Sequence, residues 1–325
     1  MIRAVFTIFI IFHGLIHLLG FMKAIRPDSI KDLTMRISKP AGIIWLSAAV
    51  LFLAAAASIF FLKGWWWMIA APAAAVSQVL VILYWRDAKF GTVVNVAILV
   101  AAVIGLGTWR FDAMVKNERA SLLAAVPSTG VILTEKMTAQ LPLPIQTWLA
   151  RSRLVGRETI ASLRLIQKGE MRTSPDGTWM PVEAEQWVST GAPGFIWKAR
   201  VTAAPGIHLA GRDLYYNGRG HMLIKLLSLF PVVNARGGEI DQGSMLRFLG
   251  EMACYPSAAL NDYVRWEALG PSAARAVMTY GGITASGVFR FDERGDLASF
   301  EARRYYGEIG AGSLEDWLVT IDPKG

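Results

Sequence analysis

AVFTIFIIFHGLIHLLGFM, residues Ala4–Met22, runs for nineteen positions without a formal charge. At about 1.5 Å per residue a helix of that length spans roughly 28 Å, the thickness of a hydrocarbon core, and it leaves no polar face for water. Three further charge-free runs follow at Ala41–Leu62, Trp65–Trp85 and Gly91–Trp109, of 22, 21 and 19 residues. Backbone groups in lipid must be satisfied within their own segment, so each run is expected to be a helix. The fold expected for residues 1–109 is an α-helical four-span membrane bundle. Only Arg3 precedes the first run and no A-x-A-like site follows it, so it reads as a span rather than a cleaved signal peptide.

The rest of the composition agrees. Of 325 residues 54% are hydrophobic and 18% charged, with a mean hydropathy of +0.39, which excludes a disordered chain. The net charge of +8 is uneven. Residues 1–109 carry 9 Lys and Arg against 3 Asp and Glu; residues 110–325 carry 24 against 22. A nucleic-acid-binding domain concentrates its excess on a soluble surface, so no nucleic-acid partner is expected. Charge beside apolar runs is instead how a membrane protein anchors itself. The single cysteine, Cys254, permits no intramolecular disulfide.

Lys23, Arg26, Lys31, Arg36 and Lys39 occupy the first loop, and Arg86 and Lys89 the third. The basic side faces the cytoplasm. The expected protein is therefore a multi-pass protein of the cytoplasmic (inner) membrane, with its N-terminus and everything after Trp109 extracytoplasmic. Counting from the outer end of each helix, His17, Gln78, Asn95 and Ser47 fall about 20–22 Å deep. His13 lies one turn from His17 on the same face. Two readings stand for this polar layer of His13, His17, Ser47, Gln78 and Asn95. One is a hydrogen-bonded layer that fixes helix register. The other is a haem, metal or proton site on the two histidines. The four runs hold no Cys, Asp or Glu to complete such a site, so the structural layer is favoured and neither metal nor cofactor is expected.

Residues 110–140 read as a linker: a mixed-charge helix over 110–125, then a break at Pro127-Ser128-Thr129-Gly130. Residues 141–325 read as an extracytoplasmic α+β domain. Ile145, Trp148 and Leu149 mark an amphipathic helix in Pro142–Arg153. Strands are expected at Thr159–Thr173, Thr178–Ser189, Phe195–Thr202, Ile207–Tyr216, His221–Leu229, Val264–Leu269, Ala273–Tyr280, Ile283–Phe291 and Leu297–Tyr306. Pro175-Asp176-Gly177 and Asn217-Gly218 are among the turns between them. Met245, Leu246, Leu249 and Met252 recur at helical spacing within Asp241–Ala253. Short turns between neighbouring strands imply an antiparallel sheet. Strands beyond ten residues twist and curl, so one curved antiparallel sheet is expected, its concave face covered by the 241–253 helix.

Two groups of motifs carry a resemblance. HGLIHLLGFMKA (His13–Ala24) and SQVLVILYWRDAKFGTVVN (Ser77–Asn95) form the first. QKGEMR (Gln167–Arg172), AEQW (Ala184–Trp187), PGFIWKAR (Pro193–Arg200), GRD (Gly211–Asp213) and NGRGHMLIKLL (Asn217–Leu227) form the second. The chain resembles a family of uncharacterised bacterial four-helix membrane proteins with an extracytoplasmic domain of unknown function, which brings no activity with it. In element order alone, the outer domain is similar to the lipoprotein-carrier half-barrel of the bacterial envelope. That resemblance implies a sheet sheltering acyl chains.

No G-x-S-x-G, P-loop, H-E-x-x-H or C-x-x-C motif is present, so a non-enzyme is favoured. Arg200, Arg212, Asp213 and Arg219 lie on consecutive strands or their ends. A solvated face with cross-strand ion pairs accounts for them. So does a concave site where Arg200 and Arg212 hold an anionic head through planar contacts. Trp197 and Met222 are candidates for an apolar lining, and Met suits variable apolar ligands. The expected partners are the bilayer and a lipid, lipoprotein or other amphiphile. The rival is an enzyme acting on an envelope amphiphile, with Glu185 or Glu251 as general base. A ligand-free assembly protein is the third possibility.

Overall fold

A computed structural model of the chain describes residues 2–61, 64–124, 126, 131–307 and 312–322. The break expected at Pro127–Gly130 and the end of the second run at Leu62 lie outside the described residues. The chain forms two compact units. One comprises Met1–Ala113 with Ala204–Ile207 and Leu227–Leu229; the other comprises Met114–Ala203, His208–Leu226 and Phe230–Gly325.

The first unit is helical, and three of its helices are long and apolar enough to cross a membrane: α1 (Ile2–Ile25), α2 (Lys39–Phe61) and α5 (Gly91–Ala124). The run expected as the third span gives a shorter apolar helix, α3 (Trp67–Leu83), of 17 residues. Tyr84 cuts it short by leaving helical geometry at φ −113° and ψ 37°, and the chain restarts as the single turn α4 (Trp85–Ala88). α1 and α2 approach closely because α1 offers glycines. A Cβ at Gly14 would stand 2.9 Å from Phe52 Cβ, and one at Gly20 would overlap the Trp45 ring. Small residues at such crossings let backbones approach. The helix expected separately over 110–125 is the continuation of α5, since neither Gly nor Pro interrupts Trp109–Ala124.

The second unit holds a short turn α6 (Glu135–Thr138), the amphipathic helix α7 (Leu143–Arg151) and two antiparallel sheets. In the first sheet β1 (Ser162–Met171), β2 (Met180–Ser189), β3 (Gly194–Ala204), β4 (Ile207–Tyr216), β5 (Arg219–Leu226) and β6 (Phe230–Ala235) pair in chain order. In the second, β7 (Val264–Gly270), β8 (Ala273–Tyr280), β9 (Ile283–Phe291), β10 (Leu297–Tyr306) and β11 (Ser313–Thr320) do the same. The expected single sheet is thus two, because the chain leaves β6 for α8 (Gly238–Gly250) and two 3-10 turns before β7 begins. Where nine strands are expected, the described residues form eleven. The run read as His221–Leu229 ends at Leu226 and turns into β6, and β11 follows β10.

α8 packs on β5 of the first sheet and on β8, β9 and β10 of the second. Its Met245, Leu246, Phe248 and Leu249 join Ile145 and Trp148 of α7, Phe195 and Tyr215 of the first sheet, and Phe289 and Phe300 of the second in one core. Phe300 fits because its neighbours lack side chains. A Cβ at Gly250 would lie 2.8 Å from its Cδ1, and one at Gly287 would overlap the ring.

Candidate functional site

Side chains alternate faces along a strand, and β3 shows which face is which. Trp197, Ala199 and Val201 line a half-open cavity of about 530 Å³ bordered by β1–β5, β10, β11 and the C-terminal end of α8. Met171, Met180, Leu209, Met222 and Ile224 continue its apolar wall from the first sheet, and Trp317 and Val319 from β11. This volume lies within the roughly 300–1,000 Å³ of typical small-molecule sites.

One part of the wall is charged. Arg247 of α8 donates to Asp213 Oδ2 at 2.8 Å, to Glu251 Oε1 at 2.7 Å and to Gln186 Oε1 at 3.3 Å. Its guanidinium lies 4.9 Å from the Phe195 ring and 4.8 Å from that of Trp197. Gln186 Nε2 donates to the second Glu251 oxygen at 2.5 Å. These bonds satisfy Arg247 and Glu251 where an unpaired charge is costly. Burial pushes the Asp213 carboxyl above its ordinary range, and Arg247, Arg304 and Arg212 pull it back.

Arg304 of β10 is the second cation in this wall. Its guanidinium stacks 5.2 Å from the Trp317 ring. Among the described residues it makes no hydrogen bond or ion pair. Burial, then the charge of Arg247, lower its pKa. Beside the apolar cavity lies a recess of about 50 Å³, and the two share Asp213, Met222, Arg247 and Arg304.

The residues expected to bind divide by face. Trp197 and Met222 line the cavity. Arg200 is exposed on the opposite face of β3, in register with Glu183. Arg212 is buried behind the sheet: its Nε meets Glu118 Oε2 at 3.1 Å, and it donates to the His221 carbonyl at 2.8 Å and to His221 Nδ1 at 2.9 Å. Arg219 points out at a hairpin end and pairs with Asp241 at 2.9 Å. The arginine pair expected at a concave mouth is therefore not brought together there. Of the two expected bases, Glu251 lines the cavity and Glu185 lies on the outer face, bonded to Arg164. Arg304, Gln186 and Trp317 were not expected at a site, whereas Asp213, grouped with the strand arginines in the sequence, lines the pocket. Strand parity was the available signal, since Arg304 shares a face with the core residue Phe300.

In the helical unit, four of the five residues of the expected polar layer connect. His13 Nε2 lies 3.0 Å from Asn95 Oδ1, and Asn95 Nδ2 donates to Gln78 Oε1 at 3.1 Å. His17 Nδ1 lies 2.8 Å from the His13 carbonyl, which makes that nitrogen the donor and Nε2 the acceptor from Ser77 Oγ at 2.8 Å. Ser77 takes the place given to Ser47, which is exposed and bonds the Ile43 carbonyl of its own helix at 3.0 Å. No group of three potential metal ligands occurs among the described residues.

A family of unknown function, DUF6544, matches residues 131–323, more than half of the chain. The chain belongs to the DUF6544 family. The matched region contains both sheets, α7 and α8, and so the whole cavity wall of this DUF6544 member. No curated protein and no solved structure matches the chain.

Proposed function

We propose that this DUF6544 member is a membrane-anchored protein of the bacterial envelope whose sheet domain binds a lipid, lipoprotein or other amphiphile. The observation that carries the reading is the cavity of about 530 Å³, apolar over most of its wall and charged at Arg247, Asp213, Glu251 and Arg304. An amphiphile needs an enclosure of both characters. Methionines at Met171, Met180 and Met222 suit a flexible chain of variable shape. On this reading the two sheets act as the curved shelter of a lipoprotein carrier does. α1, α2, α3 and α5 cross the cytoplasmic membrane, and the basic loop 23–39 lies on the cytoplasmic side. α3, at 17 residues, is at the short end of the range that spans.

The test is extraction of the full chain into amphipol followed by mass spectrometry of organic extracts, with displacement of the fluorescent probe 1-N-phenylnaphthylamine by C12–C18 amphiphiles. Stoichiometric amphiphile and saturable displacement are expected. Replacing Ala199 and Gly211 in the wall by Leu fills the cavity and should abolish both. A chain that carries no amphiphile and displaces no probe overturns the reading in favour of an assembly role.

A further inference from the structure

The charged part of the cavity wall contains two cations and two anions, but their pairing is unequal. Arg247 takes both acids: Asp213 at 2.8 Å and Glu251 at 2.7 Å. The second oxygen of Glu251 accepts from Gln186. Arg304 is left with its ring contact to Trp317 and with no hydrogen-bond acceptor among the described residues. A guanidinium carries five N–H donors in a planar fork, and the half-buried Arg304 lines both the pocket and the adjoining recess. Its Nε packs against Gly243, where a Cβ would lie only 3.0 Å away. An arginine set over an aromatic ring can still offer N–H donors to a carboxylate or phosphate.

We infer that Arg304 is the headgroup seat of the cavity, and that the amphiphile it selects has one apolar chain and a small anionic head, a carboxylate or a phosphate. The inference rests on the amphiphile reading above and adds the charge and size of the ligand. Size follows from the two volumes. A room of about 530 Å³ suits one drug-sized ligand, which disfavours a lipid anchor with three acyl chains. The adjoining recess of about 50 Å³ shares Arg304 and Arg247 with it. That is space for a few water-sized groups, enough for a carboxylate or phosphate and too little for a sugar.

The experiment uses the full chain in amphipol with 1-N-phenylnaphthylamine as the reporter. Four C16 competitors are compared: palmitate, monohexadecyl phosphate, hexadecanol and hexadecyltrimethylammonium. In the wild type the two anions should compete roughly ten- to hundredfold better than the alcohol, the range expected for a charge-assisted pair. The ratio of palmitate to hexadecyl phosphate distinguishes a fatty acid from a phospholipid-derived ligand. Arg304→Gln should remove the advantage of the anions while leaving hexadecanol unchanged, and Arg304→Lys should restore part of it. Equal competition by alcohol and anions in the wild type overturns the headgroup assignment and leaves amphiphile binding standing. So does an anion preference that survives Arg304→Gln. Failure of every competitor, with no saturable probe binding, defeats the amphiphile reading itself.

Discussion

Arg212 and Glu118 meet at 3.1 Å on the side of the first sheet turned away from the cavity, and the arginine side chain is 1% exposed. Its sequence neighbour Asp213 faces the cavity and pairs with Arg247. One dipeptide of β4 thus supplies a structural ion pair behind the sheet and a site carboxylate in front of it. Removing one partner of a buried pair leaves the other charge without compensation. Glu118→Leu is expected to cost about 3 kcal/mol, and Arg212→Met a similar amount. Arg200→Ala, on an exposed face, should stay within about 0.5 kcal/mol of the wild type and leave the proposed amphiphile binding unchanged. Denaturant unfolding followed by tryptophan fluorescence measures all three. A stable Arg212→Met chain that has lost its ligand would return Arg212 to the binding site.

The polar chain in the helical unit separates two serines that look equivalent in sequence. Ser77 bonds His17 across helices at 2.8 Å, whereas Ser47 bonds only within its own helix. Ser77→Ala and His17→Leu should each destabilise by about 0.5–2 kcal/mol, and Ser47→Ala by almost nothing. Thermal midpoints in a mild detergent are the check. Equal effects at the two serines would contradict the network.

His208 predicts an acid limb of stability. Burial, then the charge of Arg200, lower its pKa from 6.5 to about 4. The folded domain therefore keeps the imidazole neutral while the unfolded chain takes up a proton below about pH 6.5. Stability from this group is complete above pH 6.5 and is lost as the pH falls toward 4. With solvent screening the loss is about 1–2 kcal/mol. His208→Asn should flatten that limb when unfolding is measured from pH 7 to pH 4. An unchanged slope would show that other groups carry it.

Topology has a direct test. Alkaline phosphatase fused after residue 325 should be active, and fused at Asp28 inactive, because the basic first loop is expected in the cytoplasm. An active fusion at Asp28 reverses the scheme.

The helical runs and most strands were legible because periodicity and turn chemistry agree there. Asn217 and Gly218 take φ of 51° and 74°, the left-handed geometry that an Asn-Gly hairpin signals. The turn before β6 carries no such signal. Leu227 and Ser228 adopt φ of 52° and 61° there, against the preference of their residue types. From sequence alone the strand therefore continues to Leu229. At the site, strand parity decides which side chains meet, and residue type alone does not. Trp197 and Met222 line the cavity, whereas Arg200 lies three positions from Trp197 and so takes the other face. The same count places Arg304 inward and Arg303 outward. The pairing of Ser77 with His17 rests on helix rotation, which depth along the bilayer does not encode.

β11 lies at the edge of its sheet, with β10 its neighbour. Edge strands exchange their amide hydrogens by local fraying, at free energies well below that of global unfolding. Trp317 and Val319 of this strand are part of the cavity wall, and Trp317 is the ring on which Arg304 rests. The segment Ser313–Thr320 should therefore take up deuterium earlier than β8 or β9, and a bound amphiphile should slow that uptake more than it slows any central strand. A ligand's residence time would then be set by how often this one edge breathes, not by the stability of the domain as a whole.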